Sequence, residues 1–210
     1  MFGCPSFAVP KPQASAPAFA VGRAASFGGD GNASTFSGGF GSAPAAGTWI
    51  VLIGWSNTGA LTPSGGTNAW TLVGSTSGAK MYVHLAAASE PSTYTITYSG
   101  ASKSDGGEVS IIEITGANAT NPDDSGVATS TATCPTKTSS AANDIAVVGW
   151  TNNTSIPTAP SGYTLQTSGT NTQTSIKSAL ATKTAIGSGS ISPGNWSGSG
   201  NLVGTVLFKA

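Results

Sequence analysis

Side chains able to act as catalytic bases are few in this sequence. His84 is the only histidine in the 210 residues, so a Ser/His/Asp triad would have to use it. Strand periodicity places His84 on one polar face with Lys80 and Tyr82, and we interpret it as a solvated or strand-pairing side chain. No Gly-x-Ser-x-Gly elbow, phosphate-binding glycine loop or His-Glu pair supports a nucleophile. We therefore expect no enzymatic activity and no catalytic residues.

Acidic residues could instead form a glycosidase pair or a metal site. Glu108 and Glu113 lie in one predicted strand but have opposite parity, whereas a glycosidase needs two acids that converge across a cleft. The turn Asn121-Pro122-Asp123-Asp124 offers oxygen atoms that suit Ca²⁺, but the spacing of an EF-hand is absent. The two cysteines, Cys4 and Cys134, form no CxxC pair and are predicted to be free thiols. The sequence predicts neither a metal nor a cofactor.

Aromatic side chains suggest carbohydrate binding as an alternative. Trp55 and Trp150 each end an apolar strand, and we interpret them as side chains that close the ends of the core. Trp196 lies in the glycine-rich segment 193–198, which could expose its ring. Trp196 is therefore the candidate for a glycan contact, because flat aromatic rings can stack on sugar rings.

Composition argues against nucleic acid and membrane partners. Charged residues make up 8% of the chain, eight basic and eight acidic, and no basic stripe with interleaved aromatic residues occurs. No apolar run approaches the ~18 to 20 residues of a membrane span. The N-terminus lacks the basic and apolar regions of a secretion signal. We expect synthesis in a cytoplasm.

Phenylalanine is concentrated at the N-terminus. Residues 1–46 consist mostly of Ala, Gly, Pro and Ser, with almost no aliphatic side chains to close a core. We predict an extended docking arm over 1–46 whose phenylalanines bind a partner. The predicted partner-binding residues are Phe2, Phe7, Phe19, Phe27, Phe36 and Phe40.

From residue 47 onward the pattern is that of an all-β domain. Short alternating apolar and Thr/Ser runs are separated by Gly, Pro and Asn. We predict an antiparallel β-sandwich of about ten strands over 47–210, with a polar linker at 118–142 that contains one edge strand near 127–133. The other predicted strands are 48–55, 70–75, 80–88, 93–99, 108–115, 175–185, 189–192 and 201–209.

The second half of this domain echoes the first. Ile53-Gly54-Trp55 returns as Val148-Gly149-Trp150, and Trp70-Thr71-Leu72 returns as Tyr163-Thr164-Leu165. This predicts duplicated halves, about 47–117 and 142–210. They could form two tandem sandwiches or one jelly-roll-like sandwich whose halves interleave with approximate two-fold symmetry. Continuous apolar runs such as 49–53 favour the single sandwich, because such runs suit strands in a shared core.

Part of the sequence resembles a known family. Between Trp70 and Gly116 occur a Trp-Thr-Leu strand, the segment Lys80-Met81-Tyr82-Val83, a Glu90-Pro91-x-x-Tyr94-Thr95 hairpin and an apolar strand ending in Gly116. This order is similar to a β-sandwich domain of tailed-bacteriophage virion proteins. The resemblance implies a virion context, as a capsid decoration protein, a tail component or a phage-derived surface protein, and it carries over no catalytic residue.

These observations together predict a structural virion protein. We expect a capsid decoration or cement protein that binds the major capsid protein, or other virion subunits, through its N-terminal arm. A homo-oligomer, with a trimer as the expected unit, would add avidity. The alternatives are a tail or fibre component that contacts the host surface, and a carbohydrate-binding module.

Overall fold

β-strands are the regular secondary structure of the described part of the chain, which contains no helix. The computed structural model describes residues 18–29, 34–57, 61–98 and 106–210, and in these ranges no helix is long and apolar enough to cross a membrane. Among these residues the strands are β1 Ala20–Gly29, β2 Thr35–Gly39, β3 Trp49–Ser56, β4 Leu61–Ser64, β5 Thr71–Ser75, β6 Ala79–Leu85, β7 Thr93–Tyr98, β8 Gly107–Thr115, β9 Asp124–Thr133, β10 Lys137–Ser139, β11 Asp144–Asn152, β12 Thr164–Thr170, β13 Lys177–Ile186, β14 Gly189–Ile191 and β15 Asn195–Phe208.

Two five-stranded antiparallel sheets pack face to face. The first has the strand order β1-β8-β3-β6-β5, and the second has the order β12-β13-β11-β15-β9. One hydrophobic core lies between them, in which Val51 and Ile112 of the first sheet join Val147 and Val206 of the second. The predicted all-β antiparallel sandwich is thus confirmed, and it is one sandwich rather than two in tandem.

Each sheet is formed by one half of the chain. Exchanging the halves maps β1, β8, β3, β6 and β5 onto β9, β15, β11, β13 and β12, which are the strands in the corresponding order of the second sheet. The same exchange converts the contact of β1 with β12 into that of β9 with β5. The duplication therefore gives approximate two-fold symmetry, although the halves contribute whole sheets and do not interleave.

Outer layers cover both sheets. A three-stranded sheet, β2-β7-β4, lies on the first sheet, and its Tyr94 and Ile96 pack against Leu52 and Ile111. The β10–β14 pair and the segments around Trp196 cover the second sheet. Because both faces of the central strands are buried, their apolar runs are continuous rather than alternating.

The predicted arm over residues 1–46 is wrong for the part that the structure describes. Strand β1 pairs with β8 along its length, with Phe27 opposite Val109, and β2 pairs with β7. Phe36 is 8% exposed and its ring contacts those of Phe27 and Tyr98. A segment poor in aliphatic residues cannot close its own core, but its backbone can extend a sheet that already exists.

Two of the remaining predicted partner-binding phenylalanines also pack within the fold. Phe19 packs on the core between the two sheets, and Phe40 packs on the core beneath the outer sheet. Phe2 and Phe7 lie outside the described residues. Of the predicted arm, only residues 1–17 and 30–33 fall outside the described structure.

The predicted polar linker is also part of the fold. Strand β9 occupies the place in the second sheet that β1 occupies in the first, and β10 pairs with β14 as β2 pairs with β7. Gly22, Ala24 and Ser26 of β1 recur with equal spacing as Gly126, Ala128 and Ser130 of β9. The duplicated units therefore span 20–115 and 124–208.

The sequence repeat does not preserve the direction of side chains. Ile53 of β3 faces the core between the sheets, whereas its sequence counterpart Val148 of β11 faces the outer layer. Likewise, Trp55 packs against the core between the sheets, and its counterpart Trp150 packs in the core under the outer layer. A displacement of one residue moves a strand's side chains to the opposite face, so the matched letters occupy different environments.

Candidate functional site

The two sheets meet along two margins of opposite chemistry. Along the first, which we call the polar seam, β1 of one sheet lies against β12 of the other. The polar seam contains Ser26, Glu108, Ser168 and Asn171, and the Ser26 hydroxyl donates to the Ser168 carbonyl oxygen at 3.2 Å. Next to it, the hydroxyl oxygens of Ser110 and Ser178 are 2.8 Å apart. The polar seam thus joins the two halves by hydrogen bonds.

The opposite margin, the apolar seam, is where β5 lies against β9. Val127 of β9 packs directly on the Cα of Gly74, and Met81 packs on Gly204. The absence of side chains at these glycines lets the sheets approach closely. Symmetry relates the two margins, but among the described residues only the polar seam places a carboxylate between the sheets.

Glu108 is the central side chain of the polar seam. It is 4% exposed, and its carboxyl group lies between the backbones of Gly28 and Gly169, where a Cβ atom on either glycine would overlap it. Among the described residues it has no hydrogen-bond or cationic partner. Burial raises the pKa of Glu108 to about 7, because the ionised form loses hydration.

A cavity of about 240 Å³ opens beside the Glu108 carboxyl group. Asn171 supports its wall by donating to the carbonyl oxygens of Gly29 at 2.8 Å and Gly107 at 3.2 Å. Its own side-chain oxygen accepts from the backbone N–H groups of Gln173 and Thr174, each at 3.0 Å. These bonds fix the loop after β12 against the ends of β1 and β8. The lining residues are Gly28, Gly29, Glu108, Thr170, Asn171, Thr172 and Gln173.

His84 lies in a buried network, so its interpretation as a solvated side chain is wrong. It is 1% exposed, its Nε2 is 2.8 Å from Glu90 Oε1, and the Trp70 ring stacks on it at 4.7 Å between centroids. The other Glu90 oxygen accepts bonds from the backbone and hydroxyl of Thr67. The face predicted to be polar is covered by the outer layer, and this enclosure prevents His84 from reaching a substrate.

Opposing effects act on the carboxyl group of that network. Burial by itself raises the pKa of Glu90, but the bonds from Thr67 and the neighbouring His84 outweigh burial and lower it. A carboxylate that is both ionised and fully hydrogen-bonded stabilises the loop 65–70 against β6. We assign the network a structural role.

Trp196 is buried, so the prediction of an exposed ring is wrong. It is 2% exposed and packs against Trp150, with 6.5 Å between ring centroids, and against Cys134. Residues 195–198 begin β15, where Trp196 is directed inward between exposed neighbours, so the ring does not lie in an exposed loop. The free thiol of Cys134 is enclosed there, and burial raises its pKa to about 12, an effect that Trp196 offsets only partly.

The acidic turn before β9 is occupied by the protein's own donors. Asp123 accepts bonds from the backbone and hydroxyl of Ser140 and from Lys209 Nζ at 3.2 Å, and Asp124 accepts from the backbone of Thr138. In the described ranges no group of three or more His, Cys, Asp or Glu residues could hold a metal ion. The turn serves to start β9.

A second concave region surrounds Lys183 on β13. Lys183 lines two cavities, of about 360 and 210 Å³. The Lys183 ammonium group is 6.0 Å from the centre of the Tyr163 ring. The hydroxyl-bearing residues that line the two cavities are Thr164, Thr182, Thr184, Ser161, Ser190 and Ser192, and Tyr163 lines the smaller cavity. We call this region the Lys183 groove.

Two leucines are the exposed large hydrophobic side chains of the described residues. Leu72 is 48% exposed and Leu165 is 42% exposed. They occupy matching positions in the sequence repeat, on β5 and β12, which are corresponding edge strands of the two sheets. An edge strand with an exposed apolar side chain is a surface on which another chain can pair.

No family model matches this chain, and no curated protein and no solved structure matches it significantly. Any assignment of function therefore depends on the residues of the chain itself. One sequence signal could have pointed to Glu108. It is an acidic residue in a nine-residue strand that is mostly apolar apart from its two acids. Glu113, the other acid, is paired with Arg23 of β1.

Proposed function

We propose that this chain is a structural protein of a tailed-bacteriophage particle and acts by attachment rather than by catalysis. The observation that supports this most strongly is how the described chain uses its apolar residues. Four β layers bury almost all of them, which favours a rigid body that presents surfaces. The sequence resemblance over Trp70 to Gly116 supplies the virion context.

Attachment is expected to use the N-terminal residues and the edge strands. Phe19, Phe27, Phe36 and Phe40 are occupied within the fold, so the docking role is limited to residues 1–17, which contain Phe2 and Phe7. Burial of two phenylalanine side chains would stabilise the complex by roughly 3 to 6 kcal/mol, which is less than the conformational entropy cost of ordering seventeen residues. Backbone pairing with the partner and display of several copies must supply the rest.

Within the particle, we favour the capsid exterior, with the major capsid protein as partner and a trimer as the attaching unit. A tail or fibre component is the alternative. Counting this chain against the major capsid protein by mass spectrometry of purified particles separates the two. Hundreds of copies would support capsid decoration, a few dozen or fewer would indicate the tail, and absence from particles would contradict a virion role.

A second candidate function is carbohydrate binding, which the Lys183 groove favours. Hydroxyl groups, one ammonium group and an aromatic ring line neighbouring cavities, and such groups can hydrogen-bond and stack on a sugar. Under this hypothesis, Lys183→Met should abolish binding to a glycan array and leave the melting temperature unchanged. Binding that persists in Lys183→Met would exclude the groove as the sugar site.

A further inference from the structure

The cavity beside Glu108 has the features of a binding site rather than of a packing defect. Buried carboxyl groups in proteins are normally paired with a cation or hydrogen-bonded, because burying an unpaired charge is costly. Glu108 is 4% exposed, is directed into a cavity of about 240 Å³, and has no such partner among the described residues. Of the described residues in that lining, it is also the only one with a titratable side chain.

The fold itself does not require this arrangement. At the apolar seam, which the two-fold relation makes equivalent, Val127 and Met81 fill the space between the sheets against Gly74 and Gly204. One margin of a duplicated structure is thus packed with apolar side chains. The other keeps a carboxyl group and an open polar space.

The lining indicates the charge and chemistry of the ligand. One carboxylate with neutral oxygen acceptors around it suits a cation. A hard metal ion would require about six oxygen ligands, but among the described lining residues Glu108 supplies the only carboxylate, and the Asn171 side chain already bonds at both ends. A primary ammonium group has three N–H donors, which one carboxylate and two hydroxyl groups can satisfy.

We propose that the polar seam binds a primary ammonium group, with Glu108 as its counter-ion and the hydroxyl groups of Thr170 and Thr172 as its neutral acceptors. The cavity is small for a complete drug-sized ligand, for which sites enclose about 300 to 1,000 Å³. It suits the end of an alkylammonium chain. A free amine and the lysine side chain of a partner protein both provide this group.

Nuclear magnetic resonance of the Glu108 side-chain carboxyl carbon tests the proposal in the full-length protein. We expect n-butylammonium to shift this resonance saturably and to lower the proton affinity of Glu108 at least tenfold, since a nearby positive charge favours the ionised form. Tetramethylammonium, which has the charge but no N–H donor, and 1-butanol, which lacks the charge, are the matched controls. We expect no effect from either.

Two variants complete the test near pH 8. Glu108→Gln should abolish the increase in melting temperature that n-butylammonium causes. Glu113→Gln, which changes the other acid of β8, should keep it. A lysine-containing peptide that binds more tightly than n-butylammonium would support a protein partner, and an equal or weaker response would support a free amine.

Three results would overturn the proposal. They are an unchanged Glu108 resonance at every n-butylammonium concentration, an equal response to tetramethylammonium, or a response to Ca²⁺ alone. The resonance of the unmodified protein decides the matter even where a variant fails to fold.

Discussion

The two seams show how a duplicated structure can diverge without changing its topology. Both halves contribute a five-stranded sheet of corresponding strand order, yet one margin is closed by Val127 and Met81 while the other encloses Glu108. Apolar side chains can only pack and exclude water, whereas a buried carboxyl group introduces a charge that needs compensation. The apolar seam therefore stabilises the sandwich, and the polar seam is where specific chemistry is possible.

The two tryptophans that match in the sequence repeat lie in different environments, and substitutions measure that difference. Trp150 is completely buried under the outer segments of the second half, while Trp55 of the first half is only partly buried. Trp150→Ala should lower the free energy of unfolding by about 3 to 5 kcal/mol, and Trp55→Ala should cost clearly less. Chemical denaturation of both variants checks this, and equal losses would mean that the two sites are equivalent.

The charge at the polar seam should make stability depend on pH. The folded pKa of Glu108, about 7, lies above its ordinary value of 4.5, so ionisation opposes folding. This contribution is fully favourable below pH 4.5 and is lost as the pH rises to about 7. Near pH 9, Glu108→Gln should therefore be more stable than the unmodified protein by up to roughly 3 kcal/mol.

Chemical denaturation at about pH 5 and pH 9 measures this effect. Near pH 5, Glu108→Gln and the unmodified protein should differ little. Glu113→Gln is the control, because it removes the ion pair with Arg23 and should not stabilise the protein at either pH. Identical stability of Glu108→Gln and the unmodified protein at both pH values would show that Glu108 is compensated.

The glycines of the polar seam should tolerate no side chain while Glu108 is present. Gly169→Ala places a methyl group against the Glu108 carboxyl oxygen and near the Ser26 side chain, so we expect a loss of about 1 to 3 kcal/mol. In a Glu108→Ala background this loss should shrink, because the overlapping carboxyl group is gone. Additive losses in the double variant would contradict direct contact between the two residues.

The reactivity of the Cys134 thiol measures how well the outer layer of the second half excludes solvent. In a Cys4→Ser variant, Cys134 is the only thiol, and its burial and raised pKa should keep it unreactive toward Ellman's reagent in the folded protein. Denaturation should expose one thiol per chain. Rapid labelling in the native state would mean that the outer layer opens readily.

Sequence patterns predicted the central strands well because their periodicity and apolar runs reflect burial directly. The predicted strands 48–55 and 108–115 agree with β3 and β8 to within one residue. The sequence does not predict β1, and it predicts β9 only in part, as an edge strand near 127–133 inside a linker. Gly, Ala and Ser side chains give no apolar alternation there, and these strands depend on pairing with β8 and β15. Strand β4 is absent from the predicted strands because it is short and contains Pro63 between polar residues.

The candidate site was harder to predict than the fold. Trp196 and His84 were misassigned because their exposure depends on outer layers that strand parity does not reveal. Glu108 was noticed only as a possible catalytic acid. Its environment arises from Gly28 and Gly169, which lie far apart in sequence and meet only when the two sheets pack together.

The central claim is that each half begins with its own edge strand, so that β1 and β2 belong to the fold and not to a separate docking arm. Thermal unfolding of two truncated chains, followed by circular dichroism, tests it most directly. A chain that starts at Ala18 should melt cooperatively within a few degrees of the full-length protein. A chain that starts at Thr48 lacks β1 and β2, exposes the cores at Ile111 and Tyr98, and should lose cooperative unfolding or melt far lower. Equal melting temperatures for the Thr48 chain and the full-length protein would contradict the account.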